Sequence, residues 1–195
     1  MSLAALFMDL ATCLRSTEFL QTARHPEHQA AFSRRRKLPL PTLVALMLTG
    51  MHMSIQAELD VFFGHLQGTS QLLRTVSEQA FAQARAKLSL AAIPALNDWL
   101  VARAEQHGFV PRWCRLRLVA GDASTMRFGL RASNVKRAAL PDQILFGLFL
   151  PGAELMLAAS LHSIAECGER QMLVQHLDRL ISDDLLLLDR GYPSR

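Results

Sequence analysis

The stretch Leu185-Leu186-Leu187-Leu188-Asp189-Arg190-Gly191 decides how the second half of this 195-residue sequence folds. Four consecutive leucines are typical of a β-strand that is buried on both faces, and an aspartate stands where that strand ends. In an earlier segment, residues 115–122, apolar side chains recur at every second position, and this period of two predicts a strand. It also ends on an aspartate, Asp122. The sequence therefore predicts two strands that each carry a carboxylate at the tip.

The segments between these two strands predict how the strands are arranged. Residues 144–150 and 154–162 are predicted strands separated by the turn residues Pro151-Gly152-Ala153, so they form a hairpin. Residues 169–180 have the periodicity of a helix. A connection through a helix makes the last strand parallel to an earlier one, with a right-handed crossover. If the last strand lies beside the first, both aspartates emerge at the carboxyl ends of neighbouring strands, where open α/β sheets bind ligands.

Asp122 and Asp189 form a candidate metal site in this topology. Two carboxylates at one edge of a sheet repel each other unless a cation lies between them. Mg²⁺ is the expected cation, because it is a hard ion that prefers oxygen and takes few protein ligands. Each aspartate alone has a simpler interpretation as a turn former, since Asp side chains accept bonds from backbone amides two residues on. The occurrence of both at the ends of apolar strands favours the metal.

The first 110 residues have the periodicity of helices. The sequence therefore predicts a helical domain over residues 1–110 and a domain of strands and a helix over residues 111–195. Residues 64–68 are predicted to form a turn. The clearest helix spans residues 75–88, with Thr75 and Glu78 as a capping box at its start.

The polar face of that helix carries residue types that contact bases and phosphates from the major groove of DNA. These residues are Gln79, Gln83 and Lys87. The alternative is an ordinary amphipathic helix with a solvated face. Spacing alone does not separate the two interpretations, because helix-turn-helix assignments from spacing are weak.

Basic residues are concentrated in two places, although the net charge is only +4. One is Arg34-Arg35-Arg36-Lys37. The other lies in residues 112–137, where Asp122 is the single acid and the basic residues are Arg112, Arg115, Arg117, Arg127, Arg131, Lys136 and Arg137. Such patches suit a polyanion, because phosphate contacts supply most of the sequence-independent affinity for nucleic acid. A solvated basic face is the alternative.

The three cysteines are odd in number and widely spaced, which favours a reducing compartment.

Residues 38–57 form a run of twenty residues without a formal charge, which is the length of a transmembrane helix. The run contains Pro39, Pro41, Gly50 and several polar residues, which disfavour a helix that spans lipid. A helix buried in a bundle explains the same composition. We therefore expect no membrane association.

The segments described above resemble the DDE transposases of bacterial insertion sequences, in the group known as insertion-sequence type four. The matching segments are Ser77 to Leu88, Val119 to Thr125, Gly168 to Arg170 and Leu187 to Pro193, and the resemblance covers most of the chain from about residue 32 onward. It implies a mixed α/β fold, in which a helical DNA-binding domain precedes an RNase H-like catalytic domain. That catalytic domain would be truncated, because the family's sheet continues past its fourth strand.

The resemblance also implies the chemistry. Asp122 and Asp189 match the first and second acids of the family, which hold two divalent ions, Mg²⁺ or Mn²⁺, together with a third acid. The ions activate water or a DNA 3′-hydroxyl for attack on a phosphodiester. The third acid is a glutamate far downstream in the family, and Glu154, Glu166 and Glu169 do not match it. We therefore expect the 195-residue chain alone to be inactive.

The partner that the resemblance implies is double-stranded DNA, namely the terminal inverted repeats of a transposon, bound by a homo-oligomer at the nucleoid in the bacterial cytoplasm. The residues expected to contact this DNA are Arg34, Arg35, Arg36, Lys37, Gln79, Gln83, Arg85, Lys87, Arg127, Arg190 and Tyr192. A structural role in the turn is an alternative for Arg190 and Tyr192. A second interpretation of the chain is an inactive DNA-binding or regulatory fragment, and a third is the remnant of a decayed transposase gene.

Overall fold

The computed structural model describes residues 3–34, 37–50, 52–68, 74–127, 142–164 and 168–192. These residues form seven α-helices and a five-stranded sheet, so the expectation of a mixed α/β protein is confirmed. The chain divides into two compact units, Met1–Leu96 and Asn97–Arg195. The division falls inside a helix and not in a loop.

The first unit is built from helices. Their bounds are α1 Leu3–Cys13, α2 Thr17–Ala23, α3 Leu40–Leu48, α4 Ile55–Gln67, α5 Glu78–Arg85 and α6 Ala92–Gln106, of which the last continues into the second unit. A single turn of 3-10 helix, Pro26–His28, follows α2. Helix α5 contacts both α3 and α4. The apolar core of this unit consists of Leu38, Leu43, Leu46, Leu59, Phe63, Val76 and Phe81.

Two predicted features of these helices are wrong. Residues 64–68 do not form a separate turn, because α4 continues to Gln67 and ends at Gly68, whose φ of 62° is the left-handed conformation that glycine adopts readily. Helix α5 begins at Glu78, and Thr75 does not cap it. Ser77 is the N-cap, and its hydroxyl oxygen accepts a hydrogen bond from Ala80 N at 3.2 Å. A serine directly before the helix therefore takes the capping position.

The uncharged run at residues 38–57 contains α3, which is nine residues long, and the beginning of α4. Leu43, Val44 and Leu46 of α3 are buried, so the run is apolar because it contributes to the helical core. Within the described ranges, none of the helices is both long and apolar enough to cross a membrane.

The second unit contains the sheet. Its strands are β1 Arg112–Trp113, β2 Leu116–Met126, β3 Gln143–Leu150, β4 Leu155–Ser163 and β5 Asp184–Leu187. Strand β3 pairs antiparallel with β2 and with β4, which confirms the predicted hairpin, and β1 pairs with the beginning of β2. Strand β5 is parallel to β2. The parallel direction predicted for the last strand is therefore confirmed, and it lies beside β2, the position that the sequence left as a condition of the metal site. The four longer strands follow the order β4-β3-β2-β5.

The core of the second unit joins this sheet to α6 and to the helix α7, Glu169–Val174. It contains Val101, Ala104, Val110, Val119, Phe146, Leu148, Leu150, Leu157, Met172 and Tyr192. The helix predicted over residues 169–180 is interrupted, since a separate 3-10 turn, Leu177–Arg179, follows α7. The leucine run is also less covered than a doubly buried strand would be, because Leu187 is 44% and Leu188 37% exposed.

A buried ion pair fixes the beginning of β5 to β2. Arg117 is 4% exposed, and its Nε and Nη2 lie 2.6 Å and 2.7 Å from the carboxylate oxygens of Asp184. Its Nη1 donates to Glu105 Oε1 at 3.0 Å. The hydrogen bonds with Asp184 raise the pKa of Arg117. Burial would raise the pKa of Asp184, but the hydrogen bonds from Arg117 and from the Ile181 amide bring it below its usual value.

Candidate functional site

The parallel pairing of β2 and β5 positions the two aspartates. The pairs run from Arg117 with Asp184 to Ala120 with Leu187, and Asp122 and Asp189 each follow the last pair by two residues. Asp122 still lies within β2, whereas Asp189 follows the end of β5. Both aspartates therefore stand at the end of the strand pair where β2 and β5 stop pairing.

Asp122 and Asp189 differ in their local surroundings. Asp122 is exposed in the middle of a strand, opposite Gly147 of β3, so the interpretation of Asp122 as a turn former is wrong. Its side chain makes no hydrogen bond or ion pair with another described residue. Asp189 does form a turn, because its Oδ1 accepts a hydrogen bond from Gly191 N at 2.7 Å. That bond occupies one of its two carboxylate oxygens.

The charges of both aspartates and of a third acid, Glu169, act on the side chain of Tyr192. Its side chain is 7% exposed, and its hydroxyl has no hydrogen-bond partner among the described residues. Burial raises the pKa of this phenol, and the negative charges of Glu169, Asp122 and Asp189 raise it further. The three carboxylates therefore lie close enough to one buried hydroxyl for their charges to act on it.

Glu169 is the member of this group that the sequence does not indicate. It is the first residue of α7, where an acid is an ordinary companion of the helix dipole. Its neighbour Arg170 donates from Nη2 to Gly191 O at 3.3 Å, which ties the start of α7 to the turn after Asp189. The only signal in the sequence is that Gly168, Glu169 and Arg170 belong to the segments that carry the resemblance.

The group offers carboxylate oxygens, which are the ligands that suit Mg²⁺ and Mn²⁺. In the part of the chain that the structure describes, no three His, Cys, Asp or Glu side chains are arranged so that they could hold a metal ion together. The two aspartates at the end of the strand pair could supply two ligands of this class. The remaining positions would be left to water and phosphate, as is usual for Mg²⁺.

A cavity in the first unit brings together four of the residues predicted to contact DNA. It measures about 710 Å³ and is lined by Arg34, Lys37, Gln83 and Lys87, among others. Phe32, Leu38 and Val76 contribute apolar parts of its wall, and Glu27 contributes an acid. Three cations around one opening favour an anionic ligand such as a phosphate. Two of the elements predicted to contact DNA therefore border one space: the segment of Arg34 and Lys37, and the predicted polar stripe of Gln83 and Lys87.

Two other predicted contacts of the helical unit, Gln79 and Arg85, are not among the residues that line this cavity. Gln79 and Arg85 are exposed on α5. The guanidinium carbon of Arg85 lies 5.8 Å from the centre of the Phe81 ring. Arg35 and Arg36 lie outside the described residues.

The basic segment of the second unit, residues 112–137, has fewer arginines available for contact with DNA than its sequence indicates. Arg117 is buried in its ion pairs, and Arg112 Nη2 lies 3.5 Å from Glu105 Oε2. Arg127 and Arg190 are exposed. Tyr192 is buried, which leaves its ring little surface for contact with DNA. The remaining basic residues of this segment beyond residue 127 lie outside the described residues.

Comparison of this chain with protein-family models, with curated proteins and with solved structures finds no match.

Proposed function

We propose that this chain is part of a DDE transposase of the insertion-sequence type, in which the helical unit binds DNA and the sheet unit supplies two acids of the catalytic centre. The observation that carries the proposal is the parallel pairing of β2 and β5, because it brings Asp122 and Asp189 to one end of the strand pair. Three antiparallel strands, a helix and a strand parallel to the first support an RNase H-like domain as the finer description of this unit.

Asp122 and Asp189 are the proposed ligands of Mg²⁺ or Mn²⁺. When bound, these ions neutralise charge on the attacking and leaving oxygens of a phosphodiester. The residues of the chain set the positions of the ligands. Gly191 N holds one oxygen of Asp189, Arg170 holds the carbonyl of Gly191, and pairing with β3 holds the backbone of Asp122.

Double-stranded DNA is the proposed partner, with the terminal inverted repeats of a transposon as its specific sites. Arg34, Lys37 and Lys87 supply cations for phosphate contacts, and Gln83 supplies an amide of the type that reads adenine. Assembly as a homo-oligomer on DNA, in the cytoplasm of a bacterium at the nucleoid, completes the proposal.

Binding of Mn²⁺ tests the acid pair directly. We expect the wild-type chain to bind Mn²⁺, and we expect Asp122→Asn and Asp189→Asn each to weaken binding at least about tenfold, as loss of a ligand group does at other metal sites. Asp183→Asn is the matched control, because Asp183 is an exposed aspartate before the opposite end of β5. Titration of the water relaxation rate against Mn²⁺ measures the affinity. Equal affinities for all four proteins would overturn the proposal.

Nicking of supercoiled plasmid tests what two acids can do. We expect no Mg²⁺-dependent nicking by the 195-residue protein, because two carboxylates leave the ions with too few protein ligands. Nicking that the Asp122→Ala variant lacks would contradict this expectation and would show that the chain completes its own site.

A second candidate function is DNA binding without catalysis, as a regulatory fragment that competes for transposon ends. It is favoured by the three cations around the cavity of the first unit. Fluorescence anisotropy with labelled duplex DNA at several salt concentrations tests it. Lys37→Gln and Lys87→Gln should each reduce the slope of log affinity against log salt by about 1, and the exposed Arg15→Gln variant of the same unit is the control. Binding that Asp122→Asn abolishes would contradict this second function.

A further inference from the structure

A cluster of three polar side chains lies in the second unit, apart from the acids described above. Ser160 Oγ lies 2.6 Å from His162 Nε2 and 2.7 Å from His176 Nε2. All three side chains are partly buried. Two imidazole nitrogens are thus directed at one oxygen atom.

The fold brings the three residues together from two elements. Ser160 and His162 are two residues apart on β4, so both point to the same face of the sheet. They stand opposite Phe146 and Ile144 of β3. His176 follows α7, and its ring stacks on Phe146 with centroids 5.5 Å apart and planes inclined by 17°. The core aromatic ring therefore holds the third member of the cluster against the strand.

The hydrogen bonds restrict which atoms of this cluster can carry a proton. A hydroxyl has one proton, so Ser160 can donate to one imidazole while it accepts a hydrogen bond from the other. The imidazole that accepts has an unprotonated Nε2, with its lone pair directed into the cluster. The same atom is the one with which a neutral histidine binds a metal ion.

Burial of the His176 ring lowers its pKa, and the charges of His162 and Arg179 act in the same direction against the opposing effect of Asp178. Arg179 is ion-paired with Asp98 and also donates to Leu157 O at 3.3 Å, so Asp98 compensates its charge.

We propose that Ser160, His162 and His176 form a binding site for a transition-metal ion of the Zn²⁺ class. Imidazole nitrogens suit Zn²⁺, Ni²⁺ and Cu²⁺, whereas Mg²⁺ prefers oxygen. The two imidazoles are the principal ligands, the hydroxyl of Ser160 is the third group at the site, and water completes the coordination. Such an ion joins β4 to the segment after α7, which stabilises the second unit by mass action. The site depends on neither the acid pair nor DNA binding.

Titration with Co²⁺ tests the proposal, because Co²⁺ substitutes for Zn²⁺ and its visible absorption reports nitrogen ligation. The full chain, freed of metal with a chelator, is expected to bind a single Co²⁺ at this site and to release it when Zn²⁺ is added. His162→Asn and His176→Asn should each weaken binding by at least about tenfold. The matched control is the pair of substitutions His25→Asn and His28→Asn, since these histidines form another close pair, with ring centroids 5.7 Å apart.

A measurement on the wild-type chain keeps the test independent of the folding of the variants. Diethyl pyrocarbonate modifies unliganded imidazole, and mass spectrometry locates the modified residues. Zn²⁺ should slow modification of His162 and His176 at least about tenfold, in line with the expected occupancy of ligand nitrogens, and should leave His25 and His28 unchanged. Equal rates with and without Zn²⁺ at His162 and His176, or Co²⁺ absorption that only the His25 and His28 substitutions remove, would overturn the proposal.

Discussion

The two ends of the β2–β5 pair place carboxylates in opposite electrostatic situations. At one end Asp184 is buried and receives two hydrogen bonds from Arg117. At the other end, a few residues further along both strands, Asp122 and Asp189 have no cation paired with them among the described residues. A compensated buried charge holds strands together, whereas exposed carboxylates without a paired cation are available to bind one. The difference separates a structural end of the strand pair from the end that carries the proposed metal ligands.

The largest expected effect comes from breaking the compensated end. Arg117→Met should lower the free energy of unfolding by about 3–5 kcal/mol, because it leaves the Asp184 carboxylate buried without a counter-charge. Urea denaturation of the 195-residue protein measures the change. The control is the double variant Arg117→Met with Asp184→Leu, which should recover most of the loss, since an apolar pair often replaces a buried ion pair at little cost. A loss below about 1 kcal/mol in the single variant would mean that this ion pair stabilises the fold no more than an exposed, screened ion pair does.

Acid should weaken the same end by a smaller amount. The pKa of Asp184 is lower in the folded chain than its usual value, so its contribution to stability is complete above about pH 3.9 and is lost as the pH falls through the folded value. Thermal melts between neutral pH and about pH 2 should show this loss. The decline should be shallower in Asp184→Asn, which has no carboxylate to protonate at this position. Equal slopes for the two proteins would mean that other acids determine the decline.

The end that carries Asp122 and Asp189 should tolerate substitution better. Asp189→Ala removes the hydrogen bond from Gly191 N and should cost about 1 kcal/mol of unfolding free energy. Asp122→Ala removes no hydrogen bond to a described residue, so its effect should stay within about 0.5 kcal/mol of zero. The two variants are matched controls for each other in chemical denaturation. A larger cost for Asp122→Ala than for Asp189→Ala would contradict the contacts at this end.

An effect of the opposite sign is expected at the buried hydroxyl of Tyr192. Tyr192→Phe removes a polar group that has no described partner, and leaving such a group buried costs about 1–3 kcal/mol. The substitution should therefore be neutral or stabilising in a thermal melt. If it destabilises the protein, the hydroxyl has a partner in solution, such as water or one of the three acids.

The local patterns of the sequence predict much of the second unit. The alternation in β2, the turn Pro151-Gly152-Ala153 and the leucine run each reflect a short-range requirement of a strand or hairpin. The parallel direction of the strand before Asp189 follows from the helical crossover, whereas its place beside β2 is shown only by the pairing of the two strands. The role of Asp122 and Asp189 as metal ligands stays a prediction, because no contact in the described structure tests it.

Boundaries and partners were harder to predict. The hydroxyls of Thr75 and Ser77 can both cap a helix, and the structure shows that Ser77 is the N-cap of α5. Arg117 was interpreted as part of a basic patch that could bind a polyanion. The alternation of β2 puts it on the same face of the strand as Val119 and Gly121, which are buried. Its position on that face was therefore readable from the sequence. Its partner Asp184 was not, since 67 residues separate the two along the chain.

The sequence by itself determined which segments are strands and helices, because hydrophobic periodicity and turn residues act over a few neighbouring positions. It also determined that two aspartates follow apolar strands. Only the tertiary structure decided what surrounds each charge: Arg117 beside Asp184, the charges of Glu169, Asp122 and Asp189 acting on Tyr192, and two histidines around Ser160. These arrangements depend on contacts between segments distant in the chain, and periodicity carries no information about which distant side chain a charge meets.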